Sequence, residues 1–130
     1  MTFDAIGIAG TGLGVHRKWL DAVADNIANA NTATPTNGEA FRARYIAVRA
    51  DANGEGVYVA GAAWGDAGGR VVHEPNHPLA DAEGYVRYPE IDLGEQMGAL
   101  IMAQRGYQAS AAVVDRAKAT YEAGLQIGRN

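Results

Sequence analysis

The chain has 130 residues, a formal net charge of -4 and no cysteine. One domain is therefore the default, and disulfides, thiolate metal sites and cysteine nucleophiles are excluded. The acidic balance and the lack of a basic stripe argue against nucleic acid as a partner. Because alanine and 17 glycines contribute much of the chain, its core buries little apolar area, and we expect it to complete its stability by packing on other chains.

The start of the chain does not have the pattern of a secretory signal. No stretch approaches the roughly 20 apolar residues that a membrane span needs. The first basic residue, Arg17, follows the first apolar run instead of preceding it. We therefore expect that, if the protein leaves the cytoplasm, it does so by a route that reads no cleavable signal.

The first predicted element is a helix over residues 3–30 with an apolar stripe that repeats every seven residues. The glycines between residues 7 and 14 each cost about 1 kcal/mol of helix propensity relative to alanine, so its first turns should fray in an isolated chain. Asparagines crowd its end, where their side chains can bond the backbone of adjacent loops. The predicted seam and end residues are Phe3, Ile6, Leu13, Leu20, Val23, Ile27, Asn26, Asn29 and Asn31.

The middle of the chain is predicted to form a small β unit. Residues 41–49 alternate as FRARYIAVR, which is the period of a strand. Residues 57–60 follow after a turn at residues 53–56, which predicts a hairpin. Residues 70–73 are a short third strand, and three prolines then make residues 74–92 an extended, irregular crossing segment.

His73–His77 matches the zinc metalloprotease pattern H-E-x-x-H. That chemistry needs both histidines on one face of a helix, and Pro75 lies inside the motif. A structural metal held by His73, His77 and Asp81 would lack an evident fourth ligand. We therefore expect a proline-stiffened turn and no metal, with a zinc hydrolase as a remote alternative.

The last third of the chain is predicted to be one helix, residues 91–128, with Asp92 as its N-cap. A helix of roughly 35 residues is about 50 Å long, and its apolar stripe needs a partner helix, which the N-terminal helix supplies. An aromatic residue on such a stripe, as Tyr107 is, most often belongs to the core, and the alternative is a contact between subunits on an outer face that also includes Arg105. The predicted stripe consists of Met97, Leu100, Gln104, Tyr107, Ala111, Val114, Lys118, Tyr121 and Leu125.

These elements predict a mainly α fold with a small β insertion, in which the two long terminal helices pair as a coiled-coil-like unit. The predicted domain division assigns residues 1–32 and 91–130 to the paired helices, and residues 33–90 to the hairpin and crossing segment. The scattered acidic residues and the single serine, Ser110, offer no catalytic grouping. We therefore expect no enzyme, no cofactor and no small-molecule substrate.

Three segments resemble signatures of the flagellar basal-body rod proteins. Residues 20–32, LDAVADNIANANT, are similar to the N-terminal signature of that family. Residues 73–92 look like the HPxAD…GYVxYPNxD signature of its FlgC branch, the proximal rod proteins. Residues 104–110, QRGYQAS, resemble the C-terminal SRAYxAN, with Gly106 where the pattern has alanine and Ser110 where it has asparagine.

This resemblance implies a structural protein of the bacterial flagellum and not an enzyme. Such proteins leave the cell through the flagellar type III export apparatus and polymerise with themselves and other rod subunits at the membrane ring. The resulting hollow rod transmits torque and forms the export conduit, so the implied location is the basal body in the cell envelope. A soluble helical adaptor with a terminal coiled coil is the alternative.

Overall fold

The computed structural model describes the backbone of residues 2–129 and the side chains of residues 4–129. The predicted domain limits at residues 1 and 130 and the seam side chain of Phe3 lie outside the described residues. The elements in chain order are α1 (Thr2–Asn29), β1 (Arg44–Ala50), β2 (Val57–Trp64), β3 (Arg70–His73), β4 (Tyr85–Tyr88) and α2 (Leu93–Gly128). This order confirms the predicted mainly helical fold with a small β insertion.

Helix α2 begins where the sequence predicts. The carboxylate of Asp92 accepts a hydrogen bond from the backbone N–H of Glu95 at 3.1 Å. The backbone N–H of Gln96 donates to the carbonyl of Asp92 at 3.0 Å. These two bonds satisfy donors that a helix start leaves unpaired, so Asp92 is the N-cap.

Strands β1 and β2 form a two-stranded sheet, which confirms the predicted hairpin. In the turn, the N–H of Asp51 donates to the carbonyl of Gly56 at 2.8 Å, and the N–H of Gly54 donates to the carbonyl of Asp51 at 3.0 Å. Gly54 and Gly56 have φ angles of 73° and 133°, a region that glycine enters at little cost. The turn chemistry therefore explains why these two positions are glycine.

The crossing segment is more regular than predicted. Strands β3 and β4 pair antiparallel, with Arg70 opposite Tyr88 and His73 opposite Tyr85, so the prediction of an irregular segment is wrong over residues 85–88. The prolines flank this stretch without entering it, which leaves its backbone donors free to pair. The third strand thus joins β4 in a second sheet and not the hairpin.

The chain divides into two compact units, each built from both helices and part of the insertion. The first unit contains Met1–Leu20, Ile46–Gly61 and Ile101–Asn130, and the second contains Asp21–Tyr45 and Ala62–Leu100. Their buried apolar residues are mostly alanine and valine, as the composition predicts. In the second unit they are Ala22, Val23, Ala30, Ala40, Ala43 and Val86, and in the first they are Val15 and Ala103.

Across the described residues, no helix combines the length and the hydropathy that crossing a bilayer requires.

Candidate assembly surfaces

Asn26 is the polar centre of the second unit. Only 1% of it is exposed. Its side-chain oxygen accepts the N–H of Arg44 at 2.8 Å. Its side-chain nitrogen donates to the carbonyl of Arg44 at 3.0 Å and to Oε1 of Gln96 at 3.1 Å. One amide thus ties α1 to the start of β1 and to the first turn of α2, with every bond in good geometry.

In the first unit, α1 and α2 meet through glycines. A Cβ atom on Gly12 would lie 2.9 Å from Oγ of Ser110, and a Cβ atom on Gly106 would overlap the imidazole of His16. Four residues forward on α1, from Gly12 to His16, therefore correspond to four residues back on α2, from Ser110 to Gly106. The two helices run antiparallel within this unit. The close approach is possible because neither glycine carries a side chain.

The ring of His16 is held in place by α1 itself. Its Nδ1 lies 2.7 Å from the carbonyl oxygen of Gly12. Because a carbonyl only accepts, Nδ1 carries the proton, and the opposite edge of the ring faces Gly106. Gly106 is one of the two positions at which this segment departs from the SRAYxAN pattern, and the imidazole of His16 leaves no room for the methyl group of the alanine in that pattern.

We expect Gly106→Ala and His16→Ala to be coupled. In the natural chain, the new methyl group displaces the imidazole and breaks its bond to Gly12, which offsets the gain of about 1 kcal/mol in helix propensity. In a His16→Ala background the gain remains. A double-mutant cycle of urea unfolding should therefore give a coupling free energy of about 1–2 kcal/mol. Additive effects would show that the two residues are not in contact.

Thr11 joins the hairpin to α1 in the first unit. Its hydroxyl donates to the carbonyl of Ile8 at 2.6 Å and accepts the N–H of Val57 at 3.0 Å. A Cβ atom on Gly56 would overlap this threonine side chain. The start of β2 is thereby fixed against the glycine-rich turns of α1, which the sequence predicted would fray alone.

Arg87 organises the loops of the second unit. Its guanidinium donates to the carbonyl of Gly68 and to that of Thr36 at 2.8 Å. Its backbone exchanges two hydrogen bonds with Thr34. Its Nε is buried without a partner among the described atoms. The bonds of the other two guanidinium nitrogens tie this side chain to the loops at Gly68 and Thr36.

The H-E-x-x-H segment forms no helix. His73 ends β3, and its ring packs on that of Tyr85 with centroids 4.9 Å apart. His77 accepts the N–H of Leu79 at Nδ1, at 3.0 Å. Glu74 accepts the hydroxyl of Tyr88 at 2.7 Å. These partners are structural, so the motif is a turn between β3 and β4.

Asp81 closes the same turn. Its carboxylate accepts the N–H of Tyr85 at 2.9 Å, the hydroxyl of Thr36 at 2.8 Å and the N–H of Glu83 at 3.0 Å. The bond from Tyr85, followed by that from Thr36, holds the pKa of Asp81 below its ordinary value. Protonation removes the charge that these donors stabilise.

We expect stability to fall in acid through Asp81. Because its folded pKa is lowered, its contribution is present above the unfolded pKa of 3.8 and is lost as pH falls through the folded value. Urea midpoints measured from about pH 5 to about pH 2 should fall more steeply for the natural chain than for Asp81→Asn, which does not titrate. Parallel profiles would assign the acid sensitivity to other carboxylates.

The structure places the predicted interface residues at very different depths. Val23 and Asn26 are buried. Those that are half-buried are Leu13, Leu20, Ile27, Asn29, Leu100, Val114 and Tyr121. Those that are exposed are Asn31, Met97, Arg105, Tyr107 and Leu125.

The buried face of α2 differs from the predicted stripe in its first half. Gln96 and Ala103 are buried there, whereas Met97 and Gln104, one residue later, are exposed. Gln96 bonds Asn26 of α1, and Gly106 lies against His16 of α1. The assignment of the exposed residues to contacts between subunits stays a prediction.

Several residues that hold these surfaces together were missed from the sequence. Thr11 and His16 lie within a glycine-rich stretch, and Arg87 lies inside a family signature. No periodicity marks them, because each of them also contacts a residue that lies far away in the sequence. Asn26 was singled out, but its partners on β1 and α2 were not.

Comparison with known proteins covers almost the whole chain. The family model described as Flagellar basal body rod FlgEFG protein C-terminal matches residues 82–127. The chain is 36% identical over 126 residues to the flagellar basal-body rod protein FlgC of Salmonella typhimurium, with 94% of each chain covered. It has the same identity and coverage with FlgC of Yersinia enterocolitica. With FlgC of Bacillus subtilis the identity is 26% over 147 residues, covering 98% of each chain.

Proposed function

Since this chain belongs to the FlgC family of flagellar basal-body rod proteins, we propose that it builds the proximal rod by packing its terminal helices against neighbouring subunits. The rod then transmits torque and encloses the conduit through which later subunits pass. The chain acts by binding, with no catalytic step. Its partners are further copies, other rod subunits, the export apparatus that delivers it and the membrane ring.

The observation that carries this proposal is the apolar surface of α2. A monomeric soluble protein rarely leaves many large apolar side chains uncovered along one helix, whereas a polymer buries them between subunits. The large apolar residues that α2 exposes are Leu93, Met97, Ile101, Met102, Tyr107, Val113, Leu125 and Ile127.

We further propose that α1 and α2 pair as a coiled-coil-like unit. Within the first unit, this is supported by the approach of Gly12 to Ser110 and of Gly106 to His16. Within the second unit, it is supported by the hydrogen bond between Asn26 and Gln96. A buried amide pair of this kind fixes register in paired helices, which a subunit under torque needs.

The outer faces contact neighbours in this proposal. Asn31, Arg105 and Tyr107 are exposed, and arginine and tyrosine are enriched at interfaces. Asn29, by contrast, donates to the carbonyl of Asp25 within α1 at 2.9 Å. Asn29 therefore contributes to the helix end, and Asn31 is the asparagine available to another subunit.

The function is tested by mass spectrometry of detergent-extracted flagellar basal bodies from the source cell. The chain should be present and should survive a wash that removes loosely bound proteins. Leu20→Asp, which places a charge on the half-buried seam, should abolish incorporation and motility. Ala24→Asp introduces the same charge at an exposed position of α1 and should incorporate normally.

Two outcomes would overturn the proposal. Normal motility of the Leu20→Asp strain would show that Leu20 is not part of a seam that rod assembly requires. Absence of the natural chain from basal bodies, with a folded form in the cytoplasm, would favour the soluble adaptor.

A further inference from the structure

The first unit contains a helical segment that its own sequence does not favour. Residues 7–14 of α1 read GIAGTGLG, and glycine disfavours a helix more than any residue except proline. Thr11, between these glycines, is β-branched, which also lowers helix propensity. The structure nevertheless has all eight residues in the helix. Contacts from outside the segment must therefore hold it in this conformation.

Most of these glycines are not required by packing. A Cβ atom on Gly7, Gly10 or Gly14 would meet no described atom within 4 Å outside its own turn of helix. At Gly12, by contrast, a Cβ atom would lie 2.9 Å from Oγ of Ser110 on α2. Alanine would fit at the first three positions and would strengthen the helix. The three glycines therefore keep the segment dependent on its contacts.

The β1–β2 hairpin bonds this segment in its middle, at Thr11. The Thr11 hydroxyl has one proton, which it donates to the carbonyl of Ile8 at 2.6 Å. Its oxygen is then left to accept, and it accepts the N–H of Val57 at 3.0 Å. Val57 is the first residue of β2, so the first backbone donor of that strand bonds the helix.

The turn of the hairpin also fits Thr11 closely. A Cβ atom on Gly56 would overlap the threonine side chain, so the contact depends on a residue without one. Thr11 and Gly12 are consecutive in the helix and lie about 100° apart around its axis. The hairpin therefore holds one side of the segment, and α2 holds another.

We propose that the β1–β2 hairpin is a strap that orders residues 7–14 of α1 and closes through the bond from Val57 to Thr11. With the strap open, these residues lose a contact that offsets their low helix propensity, and they unfold locally. With the strap closed, Leu13 is held on the proposed seam. The inference deepens the proposed function, on which its part in assembly rests, because a subunit becomes competent for the rod when the strap closes.

Hydrogen exchange of the purified full chain, measured by mass spectrometry at residue level, tests the strap directly. Thr11→Val removes the hydroxyl and keeps the branched shape of the side chain, so amide exchange in residues 7–14 should become about tenfold faster. Thr11→Ser keeps the hydroxyl and should exchange like the natural chain. Residues 21–29 of the same helix belong to the second unit and should not change.

Thr120→Val is the matched control for Thr11→Val. The hydroxyl of Thr120 donates to the carbonyl of Arg116 at 2.9 Å within α2, as that of Thr11 does to Ile8 within α1. Among the described residues, no hydrogen bond joins Thr120 to the hairpin. Its removal should therefore leave exchange in residues 7–14 unchanged.

Gly10→Ala provides a rescue. The added methyl group has room at this position and raises helix propensity within the segment. In a Thr11→Val background it should therefore restore most of the protection of residues 7–14. A loss of protection that came from damage elsewhere in the chain would not respond to this change.

Three results would overturn the strap: unprotected residues 7–14 in the natural chain, equal exchange in the natural chain and Thr11→Val, or an equal rise throughout α1. In cells, Thr11→Val should lower incorporation into basal bodies several-fold, and Gly10→Ala should restore it. Normal incorporation of Thr11→Val would overturn the part of the strap in assembly. Absence of the natural chain from basal bodies would overturn the function instead and would leave the exchange result standing.

Discussion

Gly69→Ala is expected to destabilise the chain by about 3 kcal/mol or more, the largest effect of any single methyl group we predict. Gly69 has a φ angle of 55°, which an alanine adopts only with strain. Its Cβ atom would overlap the carbonyl oxygen of Tyr88 and lie 2.7 Å from Cβ of Ala40. The neighbours are backbone and a buried methyl group, so neither can move aside cheaply. Urea unfolding measures the loss.

Gly54→Ala is the matched control for this change. Gly54 also has a positive φ angle, 73°, but a Cβ atom there would meet nothing within 4 Å. It should therefore cost only the backbone strain, about 1 kcal/mol. Equal losses for the two variants would show that the packing around Gly69 is looser than the structure indicates.

Asn26→Ala is expected to cost about 3 kcal/mol. The change leaves the N–H and carbonyl of Arg44 and the amide oxygen of Gln96 without their partner, and each unpaired buried group costs about 1–3 kcal/mol. Some of these groups bind water in the mutant, so the total loss of stability stays below the sum of three full penalties. Since Asn26 joins three elements of the second unit, the same variant should also lose incorporation into the rod.

Asn29→Ala is the control for Asn26→Ala. Asn29 is three residues further along α1 and bonds only within the helix and its end, so its loss should cost less than about 1 kcal/mol. Thermal or urea unfolding of both variants compares them directly. A loss below about 1 kcal/mol for Asn26→Ala would show that its three bonds together contribute little to stability.

Local signals determined much of the fold correctly. Asp92 was recognised as an N-cap because a short polar side chain just before an apolar periodic run can accept the first unpaired N–H groups of a helix. The turn around Gly54 was recognised because glycine enters such backbone angles at little cost. The family was recognised from three segments near the ends and in the crossing segment, and the comparisons confirm it.

Positions that depend on partners were harder to predict. The stripe on α2 was placed through Met97 and Tyr107 because large apolar residues ordinarily mark the buried face. In this chain Gln96 and Ala103 are the buried residues of that half of α2, and α1 and α2 come close at Gly12 and Gly106, which carry no side chain. The large residues are then exposed, which suits a subunit whose remaining partners are other chains.

The helices, the hairpin, the N-cap and the rod family therefore follow from the sequence, because propensity, turn chemistry and signature residues are local properties of the chain. Three contacts become visible only in the folded chain: β3 pairs with β4, Asn26 joins β1 and α2, and His16 lies against Gly106. These contacts join residues many positions apart, and no local period encodes which of several compatible partners will lie within bonding distance. The exposed large apolar side chains of α2 belong to the same class, since burial is set by what the rest of the chain leaves uncovered.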